Sequence, residues 1–110
     1  LLVGVNEYKT KTKQPDGRHK NEPIWTPEER LFMVSACKYV DEAFLYDGEL
    51  ELYKYLTNNK DNIDIRIIGA DHKGHPFTGD DLDIKIIFNN RDHNYSTTNT
   101  INLILKKRNL

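Results

Sequence analysis

Excess charge, cysteine and long apolar runs are all scarce in this chain, and each scarcity removes a class of function. The 110 residues carry 16 Lys and Arg against 17 Asp and Glu, a net charge of −1. A general nucleic-acid binder needs a strongly cationic surface, so no nucleic-acid partner is expected. The one cysteine, Cys37, rules out an internal disulfide and a zinc site built on thiolates. Cys37 lies among apolar neighbours in FMVSACKYV, a helical pattern, and is expected to be inert core. No apolar run is long enough to cross a membrane and no signal-peptide pattern opens the chain. The expectation is a soluble, cytoplasmic domain with no membrane partner. Dinucleotide, P-loop and hydrolase signatures are missing too: there is no G-x-G-x-x-G, no G-x-x-x-x-G-K-[ST] and no G-x-S-x-G.

What remains is the material of one small domain over residues 1–110, with 37% hydrophobic residues for one modest core. Residue 1 is Leu, and LLVGV reads as a strand already under way, buried on both faces, so further chain is expected before it. A polar loop follows, YKTKTKQPDGRHKNEP, with five Lys or Arg between Tyr8 and Lys20 against one Asp. It reads either as a solvated loop or as a cationic arm that closes over an anion.

Thr26, Pro27 and Glu29 then spell a helix start, with Thr26 as cap, Pro27 in the first position and Glu29 completing a capping box. Leu31, Val34 and Cys37 would line its inner face. Residues 41–46 read as a strand, and 48–59 as a helix capped by Asp47 with Leu52 and Leu56 inward. Residues 64–69 and 83–88 are Ile-rich strands, and a last helix runs over 97–107. Strands alternating with helices imply an α/β fold, with a mostly parallel Rossmann-like sheet flanked by helices. Ligands in such folds bind beyond the carboxyl ends of the strands. The unusual loops of this sequence fall at such ends: the cationic arm, ADHKGH after the third strand, and RDHNYSTT after the fourth.

RDHNYSTT is richer than a turn requires. Ser96, Thr97 and Thr98 open a helix whose first N–H groups are unpaired and partly positive, and Arg91 adds a cation that can bind phosphate in bidentate fashion. The plainer reading is a serine cap with spare threonines. Asp71, just past a strand end, suits a sugar hydroxyl or an arginine. His72 and His75 lie in a Gly-containing loop without a clear third ligand, so no metal site is assigned to them. Asp80, Asp81 and Asp83 read as turn and surface residues. Arg30, one turn into its helix, can face the edge where the cationic arm ends.

Together these segments resemble the cytidylyltransferase-like branch of the H-x-G-H nucleotidyltransferases, the glycerol-3-phosphate cytidylyltransferase family in particular. Glu29 and Arg30, then KYVDEA at 38–43, IRIIGADHKGHPFTGDD at 65–81 and RDHNYSTT at 91–98 carry the likeness. The last is similar to the family's R-x-x-G-I-S-T-T, with Asn94 and Tyr95 in place of its glycine and apolar residue. The resemblance implies transfer of CMP from CTP to a phosphorylated small acceptor, with release of pyrophosphate, Mg²⁺ as cofactor and a homodimeric assembly. It implies catalytic roles for Arg91, Ser96 and Thr97. It also implies nucleotide contacts by those three with Thr98, Asp71 and Lys20, and acceptor contacts by Arg30 and Lys13. The family's first strand and H-x-G-H helix start are placed upstream of Leu1, and His19, His72, His75 and His93 are given no part in them. A truncated or degenerate module that binds nucleotide or a partner without catalysis is the alternative. An RNA-binding arm is weaker still, because no aromatics interleave with the lysines.

Overall fold

A computed structural model describes residues 1–8, 23–90, 92–93 and 95–109. The expected elements form in the expected order: β1 (Leu2–Asn6), α1 (Pro27–Ser35), β2 (Glu42–Tyr46), α2 (Gly48–Asn59), β3 (Ile65–Gly69), β4 (Lys85–Asn89) and α3 (Thr97–Arg108). Short 3-10 turns follow α2 and β3 at Lys60–Asn62 and Ala70–His72. The fold is mixed α/β.

The strands pair in parallel but as two separate ribbons, β1 with β2 and β3 with β4. Val3 lies opposite Ala43 and Val5 opposite Leu45 in the first. Ile67 lies opposite Ile87 and Ile68 opposite Phe88 in the second. A single sheet covered on both faces is therefore not what the described residues form. Nor is the opening strand buried on both faces: Val5 is buried, while Leu1, Leu2 and Gly4 are exposed.

Local chemistry accounts for the element boundaries. The Thr26 hydroxyl oxygen accepts from the Glu29 N–H and the Glu29 carboxylate accepts from the Thr26 N–H, each at 3.1 Å, which closes the capping box of α1. The helix stops at Ser35. Cys37 therefore falls past the Ala36 cap and is exposed, a correction to its expected place in the core. At the start of α2 Asp47 makes no side-chain cap bond; the Glu51 carboxylate takes the Asp47 N–H instead. Gly48 is left-handed, with φ of +82°, which turns its N–H toward the Asn6 side chain at 3.3 Å.

α1 packs against both strands of the first ribbon, and an aromatic contact ties α2 to it. Tyr55 of α2 stacks on Phe44 of β2 with ring centroids 4.0 Å apart. Gly4 lies beneath Phe44 and Tyr46, where an added Cβ would come within 2.9 Å of the Phe44 ring. Val5, Leu56 and Ile84 are the buried hydrophobic residues among those described. Leu52, expected inward with Leu56, is half-buried. Phe77 meets Phe88 edge-on and carries the Arg66 guanidinium over its face.

Candidate functional site

At the carboxyl end of β1, the Asn6 side-chain oxygen accepts from the N–H groups of Tyr8 at 2.9 Å and Gly48 at 3.3 Å. That oxygen joins the loop after β1 to the first turn of α2. Arg30 reaches the same place from α1. Its Nη1 donates to the Asn6 carbonyl, its Nη2 to the Glu7 carbonyl at 3.1 Å and its Nε to the Trp25 carbonyl at 3.1 Å. The guanidinium also lies over the Tyr8 ring, 5.8 Å from its centroid. Three of the five N–H donors of a guanidinium are thus directed at main-chain oxygens. Arg30 clamps α1 to the end of β1, and its positive charge is fixed at that edge.

Beside this clamp lies a polar cluster to which sequence reasoning gave no role. The Thr78 hydroxyl donates to Glu49 of α2, and Arg66 of β3 donates through Nη1 to the Thr78 carbonyl. The cluster therefore joins β3 of the second ribbon to α2. Burial pushes the Tyr46 phenol up to about 12, with Glu49 and Tyr8 adding to the rise and Arg66 opposing it. Burial also lowers the Arg66 guanidinium, opposed by Tyr46, Glu49 and Asp80. The available signal in the sequence was Arg66 itself, a charge set inside the apolar run IRIIG.

At the carboxyl end of β3 the Asp71 carboxylate folds back over Gly69. Its Oδ1 sits 2.5 Å from where a Cβ on Gly69 would stand, so a side chain there would require the exposed Asp71 carboxylate to swing aside. The chain then turns through His72, Lys73, Gly74 and His75, with the His75 N–H donating to the His72 carbonyl at 3.0 Å and Gly74 at φ +80°. These four residues do spell H-x-G-H, although that motif was expected upstream of Leu1 with no part for His72 or His75. They form a turn leading into Pro76 and Phe77, not the start of a helix.

After β4, the His93 ring accepts from the Tyr95 N–H at 3.2 Å, and Ser96 caps α3 by accepting from the Asn99 N–H at 3.0 Å. Thr97 and Thr98 fill the exposed first turn. No acidic residue occupies that turn to compete for an anion.

Arg30, Asp71 and Ser96 thus stand near or just past the carboxyl ends of β1, β3 and β4. Among the described residues no hydrogen bond or ion pair joins these three to one another. Arg91, Lys13 and Lys20, with His19 and Asn94, lie outside the described residues. Also among the described residues, no group of three His, Cys, Asp or Glu side chains is placed to hold a metal ion. Asp80 and Asp81 have the structural roles expected of them, accepting from the Phe77 N–H at 3.4 Å and the Tyr53 hydroxyl at 2.9 Å. No helix among the described residues is long and apolar enough to cross a membrane.

No protein-family model, curated protein or solved structure matches this chain.

Proposed function

We propose that this chain is a nucleotidyltransferase domain of the cytidylyltransferase type, acting on CTP and a phosphorylated small acceptor such as glycerol 3-phosphate. The supporting observation is the passage from β4 into α3. A parallel strand ends at Asn89, and seven residues later a serine-capped helix begins with two exposed threonines and no carboxylate in its first turn. Free N–H groups and hydroxyls at a helix start suit phosphate oxygens, and Arg91 adjoins them in sequence.

In this proposal an oxygen of the acceptor phosphate attacks the α-phosphorus of CTP. A new P–O bond forms, the bond to the bridging oxygen between the α- and β-phosphates breaks, and pyrophosphate leaves with the electron pair. The acceptor oxygen is already anionic at neutral pH, so no protein base is needed. Ser96, Thr97, Thr98 and Arg91 hold the triphosphate and offset charge developing on the leaving group. Asp71 contacts nucleotide or acceptor. Lys20 approaches the phosphates, and Lys13 and Arg30 the acceptor. The Rossmann-like arrangement of the ribbons, the homodimer and the Mg²⁺ requirement belong to the same proposal.

The turn formed by His72 to His75 favours a second reading. An H-x-G-H that opens no helix offers no imidazole pair at a helix start, which suits a module that binds nucleotide without turnover. Pyrophosphate release separates the two readings. It is measured with Mg²⁺ and either CTP or ATP, over glycerol 3-phosphate, choline phosphate, ethanolamine phosphate and a sugar phosphate. Turnover that Arg91→Ala abolishes supports the transferase. Nucleotide binding without turnover supports the module, and neither binding nor turnover removes both.

A further inference from the structure

Trp25, Glu28, Glu29, Phe32 and Met33 line an open groove of about 350 Å³ on the outer side of α1. Helical spacing builds it: Glu28 stands one turn from Phe32, and Glu29 one turn from Met33. The residue before a helix cap commonly packs on the fourth helical residue. Here that fourth residue is Arg30, which is turned to the carbonyls of Asn6 and Glu7, so the Trp25 ring gains no apolar partner from it. Phe32 is 75% and Trp25 54% exposed. Among the described residues neither ring meets another ring or a cation.

The two carboxylates differ. Glu29 accepts from the Thr26 N–H and belongs to the capping box. Glu28 has no hydrogen bond or ion pair among the described residues, and Arg30 is the one cation of α1. The groove thus combines two vacant aromatic faces, a thioether and an unneutralised carboxylate. An apolar side chain laid there would cover the Glu28 carboxylate without a partner, and an anion or a phosphate backbone would be repelled by it. A hydrated ammonium gains little from the rings. A guanidinium suits both halves of the surface, because it is weakly hydrated, stacks on aromatic faces and pairs with carboxylate. A pocket for a free small molecule encloses about 70–90% of it, whereas this groove is open, which suits a side chain carried by a larger partner.

We infer that the α1 groove is a docking site for an arginine side chain of a partner protein. The guanidinium lies against Trp25 and Phe32 and pairs with Glu28, and its methylene stem covers Met33. Tryptophan and arginine are the residues most often found as anchors of such contacts. The inference rests on the groove alone and is independent of the proposed catalytic activity.

Trp25 is the single tryptophan of the chain, so its fluorescence reports on the groove directly. The full chain is titrated at low salt with a short peptide holding one arginine between leucines, to about 10 mM, above the Kd of about 1 mM that suits one anchored side chain. Peptides with citrulline or lysine in place of the arginine are the comparisons. The arginine peptide should change the Trp25 emission saturably. The citrulline peptide should bind at least about tenfold more weakly and the lysine peptide about threefold. Glu28→Gln and Phe32→Ala should each weaken the arginine peptide about fivefold or more. Their far-ultraviolet circular dichroism should be unchanged, since α1 buries neither side chain. No saturable change, equal binding of the arginine and citrulline peptides, or indifference to both substitutions would overturn the inference. Trp25 emission that varies with protein concentration before any peptide is added would overturn it too, by placing a second copy of the chain in the groove.

Discussion

Arg30 donates to the main-chain carbonyl of Asn6, the last residue of β1, across 24 positions of sequence. The same guanidinium holds the carbonyls of Glu7 and Trp25, so one side chain fixes both the exit from the strand and the approach to α1. Arg30→Ala should lower the stability of the folded chain by about 2 kcal/mol, since partly buried carbonyls lose charged donors. Arg30→Lys should recover less than half of that, because an ammonium cannot span the fork. Urea unfolding measures both. An unchanged urea midpoint with impaired acceptor affinity would instead make Arg30 a pure substrate contact.

The helix start that depends on Thr26 is a second test. Thr26→Ala removes one half of the capping box and should cost about 1 kcal/mol by the same urea measurement. Thr26→Ser should restore most of it.

These two residues also show what was legible in the sequence. The capping box and Pro27 were visible because their signal is local, and α1 begins where they place it. Alternating and helical periodicity located the other elements for the same reason. Strand association was not legible. IRIIG and KIIFN show that strands exist, but pairing is a long-range matter, and the parallel strands form two ribbons instead of one sheet. Cys37 misled because an apolar pattern continues past Ser35 while the helix does not. At the candidate site, the Ser96 cap could be read from residue types. The cluster of Glu49, Thr78 and Arg66 could not, because it joins residues remote in sequence.

Gly79 should be the least replaceable glycine in the loop between β3 and β4. It has φ of +81°, and a Cβ there would approach both the Arg66 Nη1 and the Leu56 Cδ1 to 2.9 Å. Gly74 has nearly the same φ but open space around it. Gly74→Ala should cost about 1 kcal/mol from backbone strain, and Gly79→Ala about 1–3 kcal/mol more from displaced neighbours. Equal costs in urea unfolding would show that the Arg66 and Leu56 contacts do not confine the site.

Tyr46 gives the fold a pH dependence of known sign. Burial raises its folded-state value to about 12 from an ordinary value of 10.0. The unfolded chain therefore loses this proton first. Stability is intact below pH 10 and declines as pH rises toward about 12. Tyr46→Phe should flatten the Tyr46 contribution to this decline in urea midpoints collected across the interval. A slope left unchanged by the substitution would assign the alkaline loss to other groups.

CTP titration calorimetry on the full chain tests the central claim most directly, with Thr97→Val/Thr98→Val and Arg91→Ala as comparisons. Both threonines are exposed in the first turn of α3, so the double variant should keep its fold. CTP should bind the native chain with pyrophosphate as a competitor, and each variant should bind at least about tenfold more weakly, as expected for losing hydrogen bonds to a charged group. No binding of CTP, ATP or pyrophosphate, or CTP binding that both variants leave unchanged, would contradict a phosphate site at the start of α3.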